Sequence, residues 1–500
     1  MGVLRRPPDL FDREHEWSEL AEFASSVAPG LRIALVSGRR RVGKSYLLRR
    51  LAEASTGPTL VHQARELSSG QALDEFASDV ADALGLPGGV RFATWEEALR
   101  AALGVPRRGS PAAGLRLLVI DELPYLVAAA PEIPSILQLL HDEARTRPDG
   151  ASTALILSGS SLSVMSQLHT GSAPLRGRAL LDLSLPAFDY RTSALYWDVS
   201  DADTAFQLDA ILGGTPGYRA LVPGPPASPD LTTWLGRTVL NPASVLYGEK
   251  SVLLREDPRM VDIALYNSIL AAIAEGRRTP REIGSVLGRD FNGLRHPLAV
   301  LEAAGFVLRS DDVLTRKRPV YALADPIVAF TEAVIEPHRA LIEERDVATA
   351  WQLAQPSYLS RVVGPRFEHT ARVWTAKYAG DRFGTAVGHV GSAVVNEAER
   401  RTQHEIDVVA LPRGVPPFTP GAPVLVLGEA KATARPRGVT DLRRLERLRD
   451  LVAARGYDVS GTSLLLVSRS GFDPELLAAA RDERIHLVDL PTLYGADHGT

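Results

Sequence analysis

An α/β multidomain protein is predicted, and three observations carry that prediction. The first third of the chain alternates short apolar runs with amphipathic stretches, the pattern of a parallel sheet covered by helices. The middle, from about residue 203 to residue 351, reads as mostly helical with one short hairpin. From about residue 361 the strand–helix alternation returns. A chain of 500 residues with 45% hydrophobic and 23% charged content exceeds one ordinary core, so three or four globular domains are expected.

The apolar runs at residues 33–37, 59–62, 115–120, 154–158 and 181–185 read as strands. Residues 45–54 and 71–84 carry apolar side chains at helical spacing. Pro- and Gly-rich stretches at 105–114 and 222–229 read as loops or linkers. Residues 203–256 read as a small helical lid. Residues 266–320 then give helix, turn, helix and hairpin. Thr279-Pro280-Arg281-Glu282 supplies an N-cap threonine, a proline at the first helical position and a glutamate that can close a capping box. Residues 298–304 form the next helix, stopped by Gly305, and residues 306–322 form the hairpin, together a winged-helix pattern. Residues 325–351 read as connecting helices. The C-terminal strands are expected at 393–395, 405–411, 424–429 and 463–467.

Composition excludes several classes. The absence of cysteine removes disulfides, thiolate zinc sites and cysteine nucleophiles. The 11 histidines show no zinc spacing. A net charge of −4 means that any nucleic-acid surface is a local patch. The basic pair near Met1 is not followed by an apolar run, and no run is long enough to span a bilayer, so a cytoplasmic protein without a membrane partner is expected.

Only five of the 56 basic residues are lysines, so each lysine is informative. Arginine's planar fork does not replace a compact ammonium among phosphate oxygens. Lys44 closes Gly38-Arg39-Arg40-Arg41-Val42-Gly43-Lys44-Ser45, a G-x-x-x-x-G-K-[ST] phosphate loop between an apolar strand and a helix. Backbone N–H groups from Gly38 through Tyr46 would cradle the phosphates of ATP, with Lys44 on the β/γ oxygens and Ser45 on Mg²⁺. The apolar run 117–120 ends in Asp121, placed to hold Mg²⁺ through water, and Glu122, which can polarise the attacking water. Ser160, at the end of the next apolar run, is the candidate γ-phosphate sensor. Pro174-Leu-Arg176-Gly177-Arg178 offers a cation to neutralise transition-state charge. A P-loop NTPase parallel sheet is the fold these motifs imply.

A second constellation lies near the C-terminus. Glu429-Ala430-Lys431 ends an apolar strand, whose period of two puts Glu429 and Lys431 on one face. Asp407 lies on the preceding strand and Glu368 on a helix before it. Helix Glu, strand Asp, then strand E-x-K resembles the PD-(D/E)xK nuclease fold, a restriction-endonuclease-like α/β domain, with Ile406 in place of the signature proline. That resemblance implies that Asp407 and Glu429 would hold one or two Mg²⁺ ions. Lys431 would orient the hydrolytic water and Glu368 would complete the acidic cluster.

Residues 276–318 contain nine basic and five acidic residues, against a negative whole chain. Arg316, Lys317 and Arg318 would lie on the hairpin, and Arg289, Asn292 and Arg295 near the start of a recognition segment, so DNA is the expected partner.

Taken in order, the motifs resemble archaeal-type P-loop ATPases, a STAND-like branch of the AAA+ relatives, in the form with a C-terminal nuclease-like domain. The matching residues are Phe11-Asp12-Arg13-Glu14 with Glu19-Leu20, the phosphate loop, Asp121-Glu122-Leu123-Pro124-Tyr125-Leu126, Ser158-Gly159-Ser160, and the 174–178 stretch. Gly213-Gly214-Thr215-Pro216-Gly217-Tyr218 and Tyr321-Ala322-Leu323-Ala324-Asp325-Pro326 complete the series. Ser45 stands where threonine is common and Leu123 where an aromatic is common. The resemblance picks Arg178 as the charge-neutralising cation, and it implies an ATP-dependent switch and homo-oligomerisation. The expected division is a P-loop ATPase domain at 1–200, helical lid at 201–258, winged helix at 259–335, helical linker at 336–360 and nuclease-like domain at 361–500. Three readings stay open: an ATPase driving DNA binding and metal-dependent cleavage, a STAND-like signalling or scaffold ATPase with an inactive nuclease-like domain, and a nucleotide-regulated transcription factor.

Overall fold

The computed structural model describes residues 4–87, 90–105, 114–146, 152–168, 170–171, 173–226, 231–316, 319–397, 400–480 and 484–496. The chain divides into two compact units. One comprises Met1–Ala187, Thr215–Gly217 and Leu253–Val261, the other Phe188–Gly214, Tyr218–Val252 and Asp262–Thr500.

The first unit is built on β1 (Gly30–Ser37), β2 (Thr59–Gln63), β3 (Leu117–Asp121), β4 (Ser152–Gly159) and β5 (Ala179–Ser184). They form one sheet in the order β2-β3-β4-β1-β5, with every pairing parallel. A parallel sheet is covered on both faces, which is why its strands read as continuous apolar runs. The period of two divides them between two cores. Ile33, Leu35, Leu118 and Ile120 pack with Phe76, Trp95 and Leu137. Ala34, Val36, Leu117 and Val119 pack with Trp17, Leu20, Leu47 and Leu48. Burial of each large side chain contributes roughly 1.5–3 kcal/mol. The helices Lys44–Ala54 and Ser69–Ala83 lie where helical spacing places them, while Glu14–Ser25 and Trp95–Ala102 are additional. In the latter, the Thr94 hydroxyl accepts the Glu97 N–H at 3.2 Å, an N-cap within an otherwise short apolar pattern. Of the loops expected at 105–114 and 222–229, residues 106–113 and 227–229 lie outside the described residues.

In the second unit, helices Ile263–Ala274, Pro280–Leu287 and Phe291–Ala303 precede an antiparallel pair, β6 (Val307–Ser310) and β7 (Val320–Leu323). The capping box forms: Thr279 Oγ1 accepts the Glu282 N–H at 3.3 Å, and the Glu282 carboxylate accepts the Thr279 N–H at 2.9 Å. The helix expected at 298–304 starts earlier, at Phe291. Asp290 caps it by accepting the Gly293 N–H at 2.8 Å, and Pro297 lies inside it. The segment after β6 packs in part against the C-terminal domain. Val313 and Leu314 belong to the C-terminal core, the Val313 N–H donates to Ser392 O at 3.0 Å, and Arg316 lies over the Phe418 ring. Lys317 and Arg318 lie outside the described residues.

The C-terminal sheet comprises β8 (Val387–Glu397), β9 (Thr402–Pro412), β10 (Val426–Lys431), β11 (Ser463–Ser468) and β12 (Ile485–Asp489), in the order β12-β11-β10-β9-β8. β8, β9 and β10 pair antiparallel, and β10, β11 and β12 pair parallel. The parallel step from β10 to β11 needs a crossover, supplied by the helix Val439–Ala453. The helix Gly364–Lys377 packs against β8, β9 and β10. It is anchored by Arg366, whose Nε and Nη2 donate to Asp209 at 2.6 and 2.7 Å. Asp209 is buried.

Asp209→Ala leaves the part-buried Arg366 guanidinium without its partner, and the expected loss is about 1–3 kcal/mol. Chemical denaturation of the full chain checks this; an unchanged midpoint would show that solvent reaches Arg366 freely.

Candidate functional site

The candidate nucleotide site is assembled at the C-terminal ends of β1, β3 and β4. Gly38 follows β1 directly, and a Cβ there would lie 2.7 Å from Leu185 O, so no side chain fits. Arg41 adopts the left-handed region at φ 66°. Gly217 steadies it by donating its N–H to Arg41 O at 3.0 Å, and a Cβ on Gly217 would approach Arg41 Cβ to 2.6 Å. Buried Arg13 donates from Nη2 to Pro186 O at 2.7 Å and to Val42 O at 3.4 Å, tying the N-terminal segment to the loop.

Lys44 opens the helix Lys44–Ala54 and is buried. Its Nζ donates to Gly38 O at 2.7 Å and Arg39 O at 3.2 Å. Burial pulls its pKa down, opposed by the charges of Glu122 and Asp121. Asp121 ends β3 at 1% exposure. Its Oδ1 accepts the Glu122 N–H at 3.1 Å, while Oδ2 is buried with no hydrogen-bond partner among the described residues. An orphaned carboxylate oxygen beside a phosphate loop, with Ser45 on the adjoining first turn, fits a hard cation such as Mg²⁺.

Glu122 sits in the left-handed region at φ 55° and caps the helix Leu123–Ala129. Its Oε2 accepts both the Ser160 N–H at 3.1 Å and the Ser160 Oγ–H at 2.9 Å. Ser160 and Glu122 are therefore brought together. Arg178 is placed elsewhere: its Nε and Nη2 donate to Asp142 at 3.0 and 2.7 Å, and Nη1 to Pro174 O at 3.0 Å. That fork holds the Asp142 carboxyl down at about 2. Tyr46 faces outward, with its hydroxyl donating to Asp9 Oδ2 at 2.7 Å and Arg50 over its ring. Arg40 pairs with Glu256, whose charge also reaches Lys44. Sequence reasoning missed Glu256, since nothing in its local pattern marks a residue returning to the loop from so far along the chain. Gly217 had a signal in the G-x-P turn, but its contact with Arg41 is visible only in three dimensions.

The C-terminal constellation forms on neighbouring strands. Asp407 on β9 and Glu429 on β10 are both buried, and Lys431 Nζ lies 3.1 Å from Asp407 Oδ2 and 3.2 Å from Glu429 Oε1. Asp407 Oδ2 also accepts the Ala430 N–H at 2.9 Å. Arg444, from the helix Val439–Ala453, pairs with Glu429 Oε1, while Glu429 Oε2 is buried without a partner among the described residues. Burial, and then the Asp407 charge, push the Glu368 carboxyl up to about 7. Arg372, one helical turn beyond Glu368, donates to Asp407 O at 2.9 Å. Among the described residues no group of three or more His, Cys, Asp or Glu side chains is arranged to hold a metal ion. The donors are all carboxylate oxygens, and the Glu429 orphan oxygen fits a hard divalent cation, but Lys431 and Arg444 already occupy the other Glu429 oxygen.

Residues 30–167 match a family model described as the AAA domain. The chain is structurally similar to a Walker-type ATPase of Pyrococcus abyssi, at 21% identity over 65% of this chain and 97% of that chain, with a TM-score of 0.46. It is also similar to the ORC2 protein of Aeropyrum pernix solved with ADPNP and ADP, at 16% identity over 68% and 96%, TM-score 0.42. A third likeness is to CDC6P from Pyrobaculum aerophilum, at 15% identity over 69% and 96%, TM-score 0.31. No curated protein matches. The stretch that matches the AAA-domain model folds as the parallel sheet with its phosphate loop, and a mixed-sheet domain follows toward the C-terminus. Among the described residues no single helix is long and apolar enough to cross a membrane.

A carboxyl raised from 4.5 to about 7 binds its proton more tightly in the folded chain. Its unfavourable contribution is absent below about pH 4.5, grows as pH rises and is complete above about pH 7. In metal-free buffer, wild type should lose unfolding free energy relative to Glu368→Gln across that window. Paired denaturation curves at several pH values test this; parallel pH profiles would rule it out.

Proposed function

We propose that ATP hydrolysis at the Lys44 site drives a conformational switch coupled to DNA binding and metal-dependent cleavage of the DNA backbone. The observation that supports the coupled reading most is the convergence of Asp407, Glu429 and Lys431, two buried carboxylates sharing one ammonium on adjacent strands.

In the nucleotide site, the Lys44 ammonium would exchange its two loop carbonyls for phosphate oxygens. Glu122 would accept the proton of the attacking water. To do so its carboxylate must turn from Ser160, so Ser160 sets how readily the base becomes available. Asp121 and Ser45 would hold Mg²⁺, which neutralises phosphate charge when bound. Arg178 would serve a neighbouring copy in a homo-oligomer, after release from Asp142.

In the C-terminal domain, Asp407 and Glu429 would hold Mg²⁺, which would polarise the phosphate and water. Lys431 would position that water, and Glu368 would complete the acidic group. Exposed Asn292 and Arg295, on the helix Phe291–Ala303, and Arg289 just before it form the candidate DNA face. One observation favours the second reading, a STAND-like scaffold whose nuclease-like domain binds without cutting: Glu429 Oε1 is already paired with both Lys431 and Arg444.

Lys44→Ala should abolish nucleotide binding. Glu122→Gln should retain binding while slowing hydrolysis by roughly 10²–10⁴-fold. Phosphate release and fluorescent-nucleotide titration separate the two effects, and equal loss of binding in both variants would contradict the assigned roles.

Plasmid and single-stranded DNA incubated with Mg²⁺ or Mn²⁺, with and without ATP, should be cut by wild type and left intact by Lys431→Ala. A wild type that hydrolyses ATP yet cuts neither substrate would support the scaffold reading.

A further inference from the structure

The second unit holds a cavity of about 430 Å³ that shares Glu368 and Arg372 with the carboxylate site but is otherwise lined by residues neither site above uses. Its volume falls within the range of roughly 300–1,000 Å³ typical of small-molecule pockets. One wall is apolar and aromatic, formed by Leu308, Tyr321 and Leu323 of the β6–β7 pair with Ile273 and Pro326. The polar part of the lining is Arg361, Arg366, Glu368, His369 and Arg372. Arg278 lines it as well.

The bonds within the cavity decide which cations are committed. Arg366 is held by Asp209 through two hydrogen bonds. Arg278 is bound to Glu405 at 2.9 Å, and Arg372 to Asp407 O. Arg361 is exposed and has no ion-pair partner among the described residues, so its guanidinium is available at the rim. Burial pushes the His369 imidazole down to about 3, which leaves it neutral and able to donate and accept hydrogen bonds. A ligand suited to this cavity carries a flat face for Tyr321, polar edges for His369 and an anion for Arg361.

We propose that this cavity binds one nucleotide, its base against Tyr321 and the apolar wall and its phosphate on Arg361. The nucleotide is either a free mononucleotide or the phosphorylated end of a single strand, which share this chemistry. The site is separate from the phosphate loop and requires no cleavage by the C-terminal carboxylates.

The test uses the full chain carrying Lys44→Ala, to remove binding at the phosphate loop, in EDTA, to prevent cleavage. AMP, dTMP and a 5′-phosphorylated oligothymidylate are titrated by calorimetry. One equivalent of at least one probe should bind. Arg361→Ala should weaken that binding at least tenfold, and Ala322→Trp, which fills the cavity from β7, should abolish it without lowering the melting temperature. Binding of the mononucleotides assigns a free ligand, and binding of the oligonucleotide alone assigns a strand end. No binding of any probe at millimolar concentration, or binding unaltered by Arg361→Ala, overturns the proposal. If Ala322→Trp does not fold, the Arg361→Ala titration decides alone. Because cleavage is blocked throughout, failure here leaves the nuclease reading to its own assay.

Discussion

Ionisable groups at the ends of buried strands set the electrostatics of both candidate sites. A charge removed from water must be paired, hydrogen-bonded or neutralised. Asp121 closes a strand whose five residues are all buried, and Glu429 lies within a strand buried almost to its end. Neither carboxylate is fully satisfied by its own chain, since Asp121 Oδ2 and Glu429 Oε2 both lack partners among the described residues. The main chain around them is specialised to match. Glu122 and Arg41 both adopt left-handed backbone that ordinary residues avoid. Such geometry survives because packed neighbours enforce it, as Gly217 does for Arg41.

The two lysines at these strand ends stand in different electrostatic positions. Lys44 donates to two carbonyl oxygens, which are neutral dipoles. Handing its ammonium to phosphate oxygens breaks no ion pair and exchanges weaker hydrogen bonds for charge-assisted ones. Lys431 bridges two carboxylates, one of which also holds Arg444. Any cation entering there must compete with ammonium and guanidinium for the same oxygens. The first site is arranged to accept its ligand readily, whereas the second is closed by its own cations. Movement of Arg444 is then a requirement for metal chemistry, and whether the helix Val439–Ala453 allows it separates a cutting domain from a binding one.

Much of this was legible in the sequence, and the omissions have physical causes. The central strands β1, β3 and β4 announce themselves because burial on both faces makes them apolar nearly throughout, between loops rich in turn residues. Thr279 and Glu282 identified their helix because capping chemistry is local. By contrast, β12 passed unseen: its burial is intermediate, so its apolar residues give no clean alternation. Pro297 obscured the true start of the helix Phe291–Ala303, since proline normally marks a beginning. The hairpin tip read as a basic wing because Arg316, Lys317 and Arg318 dominate its composition. That reading left out the packing of the two apolar residues before them, Val313 and Leu314, in the C-terminal core. The motifs named candidate side chains, but not the partners that occupy them. Ser160 on Glu122, Asp142 on Arg178 and Arg444 on Glu429 are relations between distant segments.

The Ser160–Glu122 contact ties those relations to the mechanism. β3 and β4 are adjacent parallel strands, so Glu122 and Ser160 emerge side by side at the same edge of the sheet. Two hydrogen bonds to one carboxylate oxygen hold the candidate base in place while Lys44 lies beneath the loop. A γ-phosphate bound there would attract both the ammonium and the Ser160 hydroxyl. Transfer of the Ser160 hydroxyl to phosphate would loosen one hydrogen bond on Glu122, so nucleotide occupancy and release of the base would be coupled through a single side chain. The same serine that could sense the γ-phosphate is the group restraining the residue that would attack it through water. On the proposed reading, hydrolysis would thereby be conditional on a correctly seated triphosphate, which is the property a switch requires.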